Sequence, residues 1–261
     1  MKKLTYLLAL VMILSSLAVL TGCGGEEIKI GGQADLVGKT IGVQMGTIGH
    51  EIADDVENAK VEAYDQYVDA VTSLKQKKVD ALIMDKDTAD AYVQSNDELQ
   101  VLDVGFEPEQ YAVAVDKGND ELLTVINQVI ASMKADGSLE ASKESHKEQN
   151  GEAPDYNTGA AGGVLVVGTE PGFPPYEYLS GDLVIGTDID IMANVAKAMD
   201  MELVIESMTF NGLIPALNSG KIDAIAAGMT VNDERKVNVD FSDHYTDASQ
   251  VVVIRKASFA G

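Results

Sequence analysis

The residue types that do most of the chemistry in proteins are few in this sequence and lie far apart along it. The chain has one cysteine, Cys23, and three histidines, His50, His146 and His244. None of the histidines has the spacing to a glutamate or a second histidine that zinc enzymes use, and the chain has neither a nucleophile elbow nor a Gly-Lys-Ser phosphate loop. We therefore expect no catalytic residue, no metal and no cofactor.

Two charged residues have types suited to holding a ligand. The planar guanidinium of Arg235 can bind a carboxylate through two parallel hydrogen bonds, or it can form a surface ion pair with Asp233 or Glu234. Asp85 ends an apolar run, where it can accept from an ammonium group or cap the helix predicted over residues 88–93. Spacing alone favours the ion pair for Arg235 and leaves both roles open for Asp85.

Two similar stretches predict the elements that position these residues. Residues 74–82 resemble residues 217–225, with Asp80 and Asp223 at the same place in each copy. Each copy combines a helical pattern, a turn and a short apolar strand. Because strands that alternate with helices indicate βαβ units and parallel sheets, the sequence predicts an α/β fold of two lobes.

The pattern changes between the two halves. Residues 111–115 are a strand candidate, and Asn119 then caps a helical pattern that Gly137 ends. Residues 145–163 are polar and rich in glycine, without hydrophobic periodicity, which is typical of a flexible tether.

The N-terminal segment has the pattern of an export signal. Lys2 and Lys3 precede a run of apolar and small residues over 7–20, which is too short to span a bilayer. Leu20-Thr21-Gly22-Cys23 resembles the lipobox of bacterial lipoproteins, in which the cysteine is acylated; the alternative is a plain signal peptide with an incidental cysteine. We predict an exported protein held at the outer face of a bacterial membrane by a lipid anchor.

Composition excludes several classes of protein. The chain has 42 acidic and 19 basic residues among 261, a net charge of −23, whereas nucleic-acid affinity comes from lysines and arginines that neutralise phosphates. A single cysteine excludes a disulfide framework and a cysteine-based zinc site. The predicted boundaries are a signal peptide (1–22), an anchor spacer (23–35), lobe 2 (36–110), a hinge strand and a helix that packs on lobe 1 (111–144), the tether (145–163), and lobe 1 ending in a hinge strand (164–261).

Several short motifs resemble one family. Residues 164–256 resemble the first lobe of the extracytoplasmic solute-binding proteins of amino-acid ABC importers, family 3, through residues 167–178, 187–191, 210–217, 227–235 and 239–242. Residues 36–110 resemble the second lobe of that family, and residues 111–142 resemble its returning hinge strand and C-terminal helix. The resemblance implies a two-lobed α/β periplasmic-binding-protein fold of type II, each lobe a mixed sheet flanked by helices, which closes like a Venus flytrap.

The order of the segments departs from the family, in which lobe 1 comes first. Here lobe 2 precedes lobe 1, and the tether joins the family's usual C-terminus to its usual N-terminus. We therefore expect a circular permutation opened at the hinge, whether natural or engineered. If only the crossing at residues 111–115 remains continuous, the lobes should be less restrained than in the family.

The resemblance implies a monomer that binds a free polar amino acid, with glutamine or a basic amino acid favoured, and delivers it to an ABC transporter permease. In this interpretation Arg235 holds the ligand carboxylate with amides at Thr230, Thr47 and Ile48. Asp85, the Gly228 carbonyl and the Thr230 hydroxyl take the ammonium group. The remaining residues that the resemblance assigns contact the ligand side chain: Phe173 and Phe210 as a sandwich, and Glu170, Gln44 and Met84 at positions that vary with the ligand.

Other interpretations remain at this stage. Isolated phenylalanines are usually core residues, and Glu177, Tyr176 and Asp188 are expected to be structural. The same fold family includes extracytoplasmic dehydratases, for which Glu170 would be a general acid. A sensor module or an engineered reporter scaffold is the third possibility, because a permuted hinge suits a reporter.

Overall fold

The computed structural model describes residues 28–156 and 159–260. The predicted signal peptide and lipidation site, Cys23, lie outside these residues. Within the two ranges, no helix combines the length and the apolar character needed to cross a bilayer.

The described residues form fourteen strands and eight α-helices. The strands are β1 Thr40–Gln44, β2 Lys60–Tyr64, β3 Ala81–Asp85, β4 Leu99–Leu102, β5 Pro108–Tyr111, β6 Ala114–Asp116, β7 Val164–Thr169, β8 Gly172–Phe173, β9 Glu177–Ser180, β10 Leu183–Ile185, β11 Glu202–Ser207, β12 Ala224–Ile225, β13 Val239–Phe241 and β14 Thr246–Arg255. The helices are α1 Ile48–Asp54, α2 Tyr67–Lys75, α3 Lys86–Gln94, α4 Asp120–Asp136, α5 Ser138–His146, α6 Thr187–Ala198, α7 Leu213–Asn218 and α8 Asp233–Asn238. Short 3₁₀ helices lie at Gln33–Leu36, Phe210–Gly212 and Lys256–Ser258.

The strands form two large sheets with the same internal plan. Lobe 2 contains the order β2-β1-β3-β14-β4, with β5 also paired to β14, and lobe 1 contains the order β11-β7-β12-β6-β13. In each sheet the first three strands are parallel, and the fourth is antiparallel to its neighbours. A three-stranded sheet, β10-β9-β8, lies beside lobe 1. The predicted α/β fold of two lobes is confirmed.

The two aspartates of the similar stretches do the same work in the two lobes. Asp80 binds both backbone groups of Thr40: its carboxylate accepts from the Thr40 N–H at 2.9 Å and its own N–H donates to the Thr40 carbonyl at 2.7 Å. Asp223 makes the same two bonds with Val166, at 2.8 and 2.7 Å. Asp80 therefore connects the turn before β3 to the neighbouring parallel strand β1. Asp223 connects the turn before β12 to β7 in the same way.

Each lobe contains one strand from the other half of the chain. β6 follows lobe 2 in sequence but pairs in the lobe 1 sheet, and β14 follows lobe 1 but pairs with β3 and β4 of lobe 2. The chain therefore crosses between the lobes twice, after Tyr111 and after Phe241. The prediction that lobe 1 extends to residue 261 is wrong, because the apolar residues at 251–254 are fully buried in lobe 2. The prediction that one continuous crossing remains is also wrong, because the chain continues from β13 in lobe 1 to β14 in lobe 2.

The first and last described residues lie side by side on lobe 2, away from the hinge. Ile30 is fully buried and forms a parallel bridge with Phe259. The Ile30 N–H donates to the Ser258 carbonyl at 2.8 Å, and the Ala260 N–H donates to the Ile30 carbonyl at 3.2 Å. The end of the predicted spacer, residues 30–35, is thus part of lobe 2, since an apolar side chain at residue 30 packs into its core.

The segment predicted as a flexible tether makes specific contacts with lobe 1. The Tyr156 hydroxyl donates to the Val184 carbonyl, and the Leu203 N–H donates to the Tyr156 carbonyl at 3.1 Å. The Gly151 N–H donates to the Tyr178 hydroxyl at 3.2 Å. The prediction rested on the polar composition of the segment and overlooked its one aromatic residue, Tyr156, which packs against the core of lobe 1.

The helix predicted between the two halves is confirmed at both ends. The Asn119 side chain accepts from the Leu122 N–H at the start of α4, and Gly137 adopts a left-handed conformation, with φ of 79°, at its end. This helix buries Leu122, Ile126, Ile130 and Met133 in the core that it shares with α6 of lobe 1.

Candidate ligand-binding site

One cavity between the lobes contains almost all of the predicted site residues. It is narrow, with a volume of about 10 Å³, and its walls come from both lobes. The lining residues are Gln44, Thr47, Ile48, Asp85, Glu170, Phe173, Glu177, Phe210, Gly228, Thr230 and Arg235. Among these lining residues, all in the described part of the chain, only Arg235 has a basic side chain.

Arg235 lies in the first turn of α8 and points into the cavity. Asn232 caps this helix by accepting from the Arg235 N–H at 2.8 Å. Arg235 is 7% exposed, and its guanidinium donates to the Thr230 carbonyl at 2.7 Å and, across the cleft, to the Gly46 carbonyl at 3.0 Å. The surface ion pair expected from spacing alone is therefore wrong: the residue that contacts Asp233 is Lys236.

Asp85 lies on the opposite wall, at the carboxyl end of β3. It precedes α3, but its side chain makes no capping bond to that helix. Its carboxylate instead accepts from the hydroxyls of Tyr67 and Tyr111 and from the Gln250 amide at 2.8 Å. Burial, and to a smaller extent the nearby Glu109 carboxyl, raise the pKa of Asp85 to about 7, although the hydrogen bonds from the tyrosine hydroxyls act in the opposite direction.

Gly228 and Phe173 form the floor of the cavity. Gly228 has φ of 52°, and a Cβ atom there would lie 2.3 Å from the Phe173 ring, so the position requires glycine. The Gly228 N–H donates to Asp188 at 2.9 Å. The Phe173 ring stacks on Tyr176 at 5.7 Å and on Tyr67 at 6.1 Å between ring centroids. The floor is therefore held rigidly by aromatic packing and one buried carboxyl group.

The second predicted aromatic residue, Phe210, lies beside the guanidinium. Its ring centroid is 5.3 Å from the Arg235 Cζ atom, a distance suited to a cation–π contact. Both phenylalanines thus line the cavity, one on its floor and one beside the cation.

Thr47 and Ile48 begin α1 at the rim of the cavity. The Thr47 hydroxyl donates to the Gln44 carbonyl at 2.9 Å and accepts from the His50 N–H at 3.3 Å. Thr47 is therefore the N-cap of this helix.

Gln44 and Glu170 meet across the cleft. The Gln44 amide donates to Glu170 Oε2 at 2.9 Å, and both side chains are about 1% exposed. The second carboxylate oxygen, Oε1, has no partner among the described residues. Burial raises the pKa of Glu170, and the bond from Gln44 partly offsets this.

Three site residues were not predicted. Glu177 lines the cavity with both carboxyl oxygens buried and without a partner in the described chain, and burial raises its pKa well above the ordinary range. Glu109 accepts from the Thr230 hydroxyl at 2.5 Å, and Gln250 binds Asp85. In β5, Glu109 and Tyr111 are buried while Pro108 and Gln110 are exposed, an alternation that the residue types themselves do not show.

Met84 does not line the cavity. It is fully buried in the core of lobe 2, one residue before Asp85 on β3. Successive strand residues point to opposite faces of a sheet, so Met84 points away from the side of β3 that carries Asp85. Its prediction as a ligand contact is not supported by the lining of the cavity.

The comparisons with known proteins show what the second half of the chain is similar to. Residues 165–260 match the family of bacterial extracellular solute-binding proteins, family 3. This part of the chain is similar to that family. The match includes the lobe 1 wall of the cavity, which is formed by Glu170, Phe173, Glu177, Phe210, Gly228, Thr230 and Arg235.

Similar proteins include the arginine-binding extracellular protein ArtP of Bacillus subtilis strain 168, 39% identical over 104 residues, which are 39% of this chain and 41% of that protein. The L-cystine-binding protein TcyJ of Escherichia coli K12 is 35% identical over 122 residues, 46% of each chain. A solved structure of an ancestral arginine-binding protein bound to arginine is 47% identical over 31% of this chain and 36% of its own, with a TM-score of 0.30. The chain thus spans less than half the length of these solute-binding relatives.

Proposed function

We propose that this protein binds a free amino acid in the cavity between its lobes. The observation that supports this most directly is that a guanidinium and a carboxylate, Arg235 and Asp85, face one cavity from opposite lobes. A free amino acid carries the complementary pair, a carboxylate for Arg235 and an ammonium for Asp85. Because the two partners belong to different lobes, the ligand favours the closed arrangement through its differential affinity for it.

The acidic lining favours a cationic ligand side chain. Glu170 and Glu177 together have three buried carboxyl oxygens without a partner in the described chain, and an arginine or lysine side chain supplies several N–H donors. Phe173 and Phe210 would contact the apolar stem of that side chain. Arginine is the leading ligand, with glutamine next, since its amide can also donate; the arginine-binding protein ArtP is among the relatives.

Isothermal titration calorimetry tests this proposal. Residues 24–261 are partly unfolded and dialysed to remove carried-over ligand, then titrated with L-arginine, L-lysine, L-histidine, L-glutamine and L-cystine. We expect one-to-one binding of at least one of them, with L-arginine tightest. Arg235→Ala should weaken it by about 2–5 kcal/mol, because the ligand carboxylate loses its buried partner.

The matched control is Lys236→Ala, the next residue of the same helix, whose side chain is 53% exposed. It should leave the affinity unchanged. Equal affinities of Arg235→Ala and the wild type would remove Arg235 from the site, and no heat from any of the five amino acids would refute amino-acid binding.

A second substitution tests the choice of side chain. Glu170→Gln removes a buried negative charge but keeps an acceptor for Gln44. Affinity for L-arginine should fall about tenfold or more, while affinity for L-glutamine should change little. The exposed Asp182→Asn is the charge control. A uniform loss for both ligands would show that Glu170 does not select the side chain.

We also propose the cellular role that the family suggests. The protein would be exported, acylated at Cys23 and held at the outer face of the membrane, from which it delivers its amino acid to an ABC permease. Labelled palmitate should enter the wild-type protein but not Cys23→Ser in a bacterial host. Release of the wild type into the medium without acylation would refute the anchor.

We further propose that the chain is circularly permuted relative to its family, with the new ends on lobe 2. The bridge between Ile30 and Phe259 supports this, because it brings the first and last described residues together. Joining residue 260 to residue 28 and opening the chain within 150–160 should give a protein with the same amino-acid affinity. A rearranged chain that folds but binds differently would contradict equivalence of the two orders.

A further inference from the structure

Glu177 is a fully buried carboxyl group in the lining of the cavity. It begins β9 on lobe 1, is 0% exposed and lines the cavity between the lobes. Neither of its carboxyl oxygens has a hydrogen-bond partner among the described residues. A buried carboxylate without donors costs so much free energy that the group takes up a proton instead. This geometry therefore favours the neutral acid when no ligand is bound.

The other glutamate of the lining, Glu170, has a donor of its own. The Gln44 amide donates to Glu170 Oε2 at 2.9 Å from the opposite lobe. Arg235, the basic side chain among the lining residues, donates to two backbone carbonyl groups instead. Neither of these donors serves Glu177, so a cation that reaches Glu177 through the cavity has to be part of the ligand.

The charges of the described chain that act on Glu177 are negative. They belong to Asp188 of α6, Glu170 in the segment after β7 and Asp85 at the end of β3. Tyr245, just before β14, is a further titratable group that faces it. Burial, with these charges adding to it, raises the pKa of Glu177 well above its ordinary range. A positive charge beside Glu177 would act in the opposite direction, because it favours the ionised form.

We propose that Glu177 is neutral in the ligand-free protein and gives up its proton to solvent when a cationic ligand side chain binds beside it. The O–H bond of the carboxyl group breaks, the proton passes to the buffer, and the carboxylate accepts hydrogen bonds from the ligand cation. The cavity gains one positive charge and loses another, so its net charge is unchanged. Affinity for such a ligand should therefore rise with pH, by up to about tenfold per pH unit. This inference rests on the proposed function, since it concerns the ligand of that site.

Carbon-13 NMR of the protein labelled at glutamate carboxyl carbons tests the ligand-free state. The resonance that is absent from Glu177→Gln should have the shift of a neutral carboxyl group near neutral pH, and that of a carboxylate after L-arginine is added. Glu121→Gln, an exposed neutralisation on α4, should leave this resonance in place. A carboxylate shift without ligand would overturn the proposal.

Calorimetry in buffers of different ionisation enthalpy counts the protons that binding releases. L-Arginine is compared with L-citrulline, which has nearly the same shape but an uncharged side chain. Any proton that Asp85 releases is common to both ligands, because both carry the ammonium group. L-Arginine should release about one proton more than L-citrulline near neutral pH. Glu177→Gln should remove this difference, and it should lower the release by L-arginine alone to the same extent.

Glu170→Gln is the matched control, because it neutralises the other glutamate of the lining and keeps Glu177. It should retain the extra proton. Loss of the extra proton in Glu170→Gln but not in Glu177→Gln would overturn the assignment to Glu177. Binding of L-arginine by the wild type without an extra proton would overturn the displacement alone, whereas no binding of L-arginine would refute the proposed ligand and the displacement with it.

Discussion

Replacement of Asp188 by asparagine should make the stability of this protein less dependent on pH. Asp188 is fully buried in the first turn of α6. Its Oδ2 atom accepts from the Gly228 N–H at 2.9 Å and from the Tyr245 hydroxyl at 2.8 Å, whereas Oδ1 has no partner among the described residues. Asparagine keeps an oxygen for both donors and cannot ionise.

The magnitude follows from the pKa of this carboxyl group. Burial raises the pKa of Asp188 from 3.8 to about 7, and the bonds from Gly228 and Tyr245 only partly oppose this. Each pKa unit corresponds to about 1.4 kcal/mol. Ionisation of Asp188 at high pH should therefore lower the free energy of unfolding by about 4 kcal/mol relative to low pH, where the group is protonated. The pKa is raised in the folded protein, so this stability is fully present below the unfolded pKa. It is lost as the pH rises through about 7.

Urea unfolding of the wild type and Asp188→Asn, followed by circular dichroism between about pH 4 and pH 8, measures this effect. The wild type should lose about 4 kcal/mol relative to Asp188→Asn over this range. Other carboxyl groups are present in both proteins and largely cancel in the difference. Asp182→Asn, an exposed position in the neighbouring hairpin, should show no such trend. A constant difference between the wild type and Asp188→Asn, or one of opposite sign, would refute the reasoning.

Two further substitutions test local features of the structure. Gly228→Ala should destabilise the protein by about 2–4 kcal/mol and abolish amino-acid binding, because its Cβ atom would overlap the Phe173 ring. Gly181→Ala, which has a similar positive φ but open space around it, should cost about 1 kcal/mol and leave binding intact; equal losses would exclude the overlap as the cause. Asn119→Ala should lower the free energy of unfolding by about 1 kcal/mol in urea, since α4 loses its cap.

Much of the fold was readable from the sequence because it depends on neighbouring residues. The cap at Asn119 and the left-handed Gly137 set the ends of α4 through bonds within a few residues. The repeated aspartates, Asp80 and Asp223, marked two equivalent lobes because each one performs the same local task in its own sheet. Such features need no knowledge of how distant segments pack.

The predicted site depended on a resemblance rather than on spacing. Judged by its neighbours alone, Arg235 would pair with Asp233 or Glu234, and only the surrounding motif indicated a ligand-binding role. The structure places Arg235 opposite Asp85 in one cavity. The resemblance could not show that Met84 points away from it, because the pattern does not say which face of a buried strand meets the cleft.

Only the tertiary structure decided which partners the buried polar groups have. Glu109 and Gln250 are 141 residues apart in sequence. Their strands become neighbours in the fold because β5 pairs with β14. Pairing of β14 with β3, also between distant segments, places residues 250–254 in the lobe 2 sheet. The sequence determined local elements and residue types, whereas the protonation and orientation of the site's carboxyl groups depend on burial and on bonds between distant segments, which exist only in the folded chain.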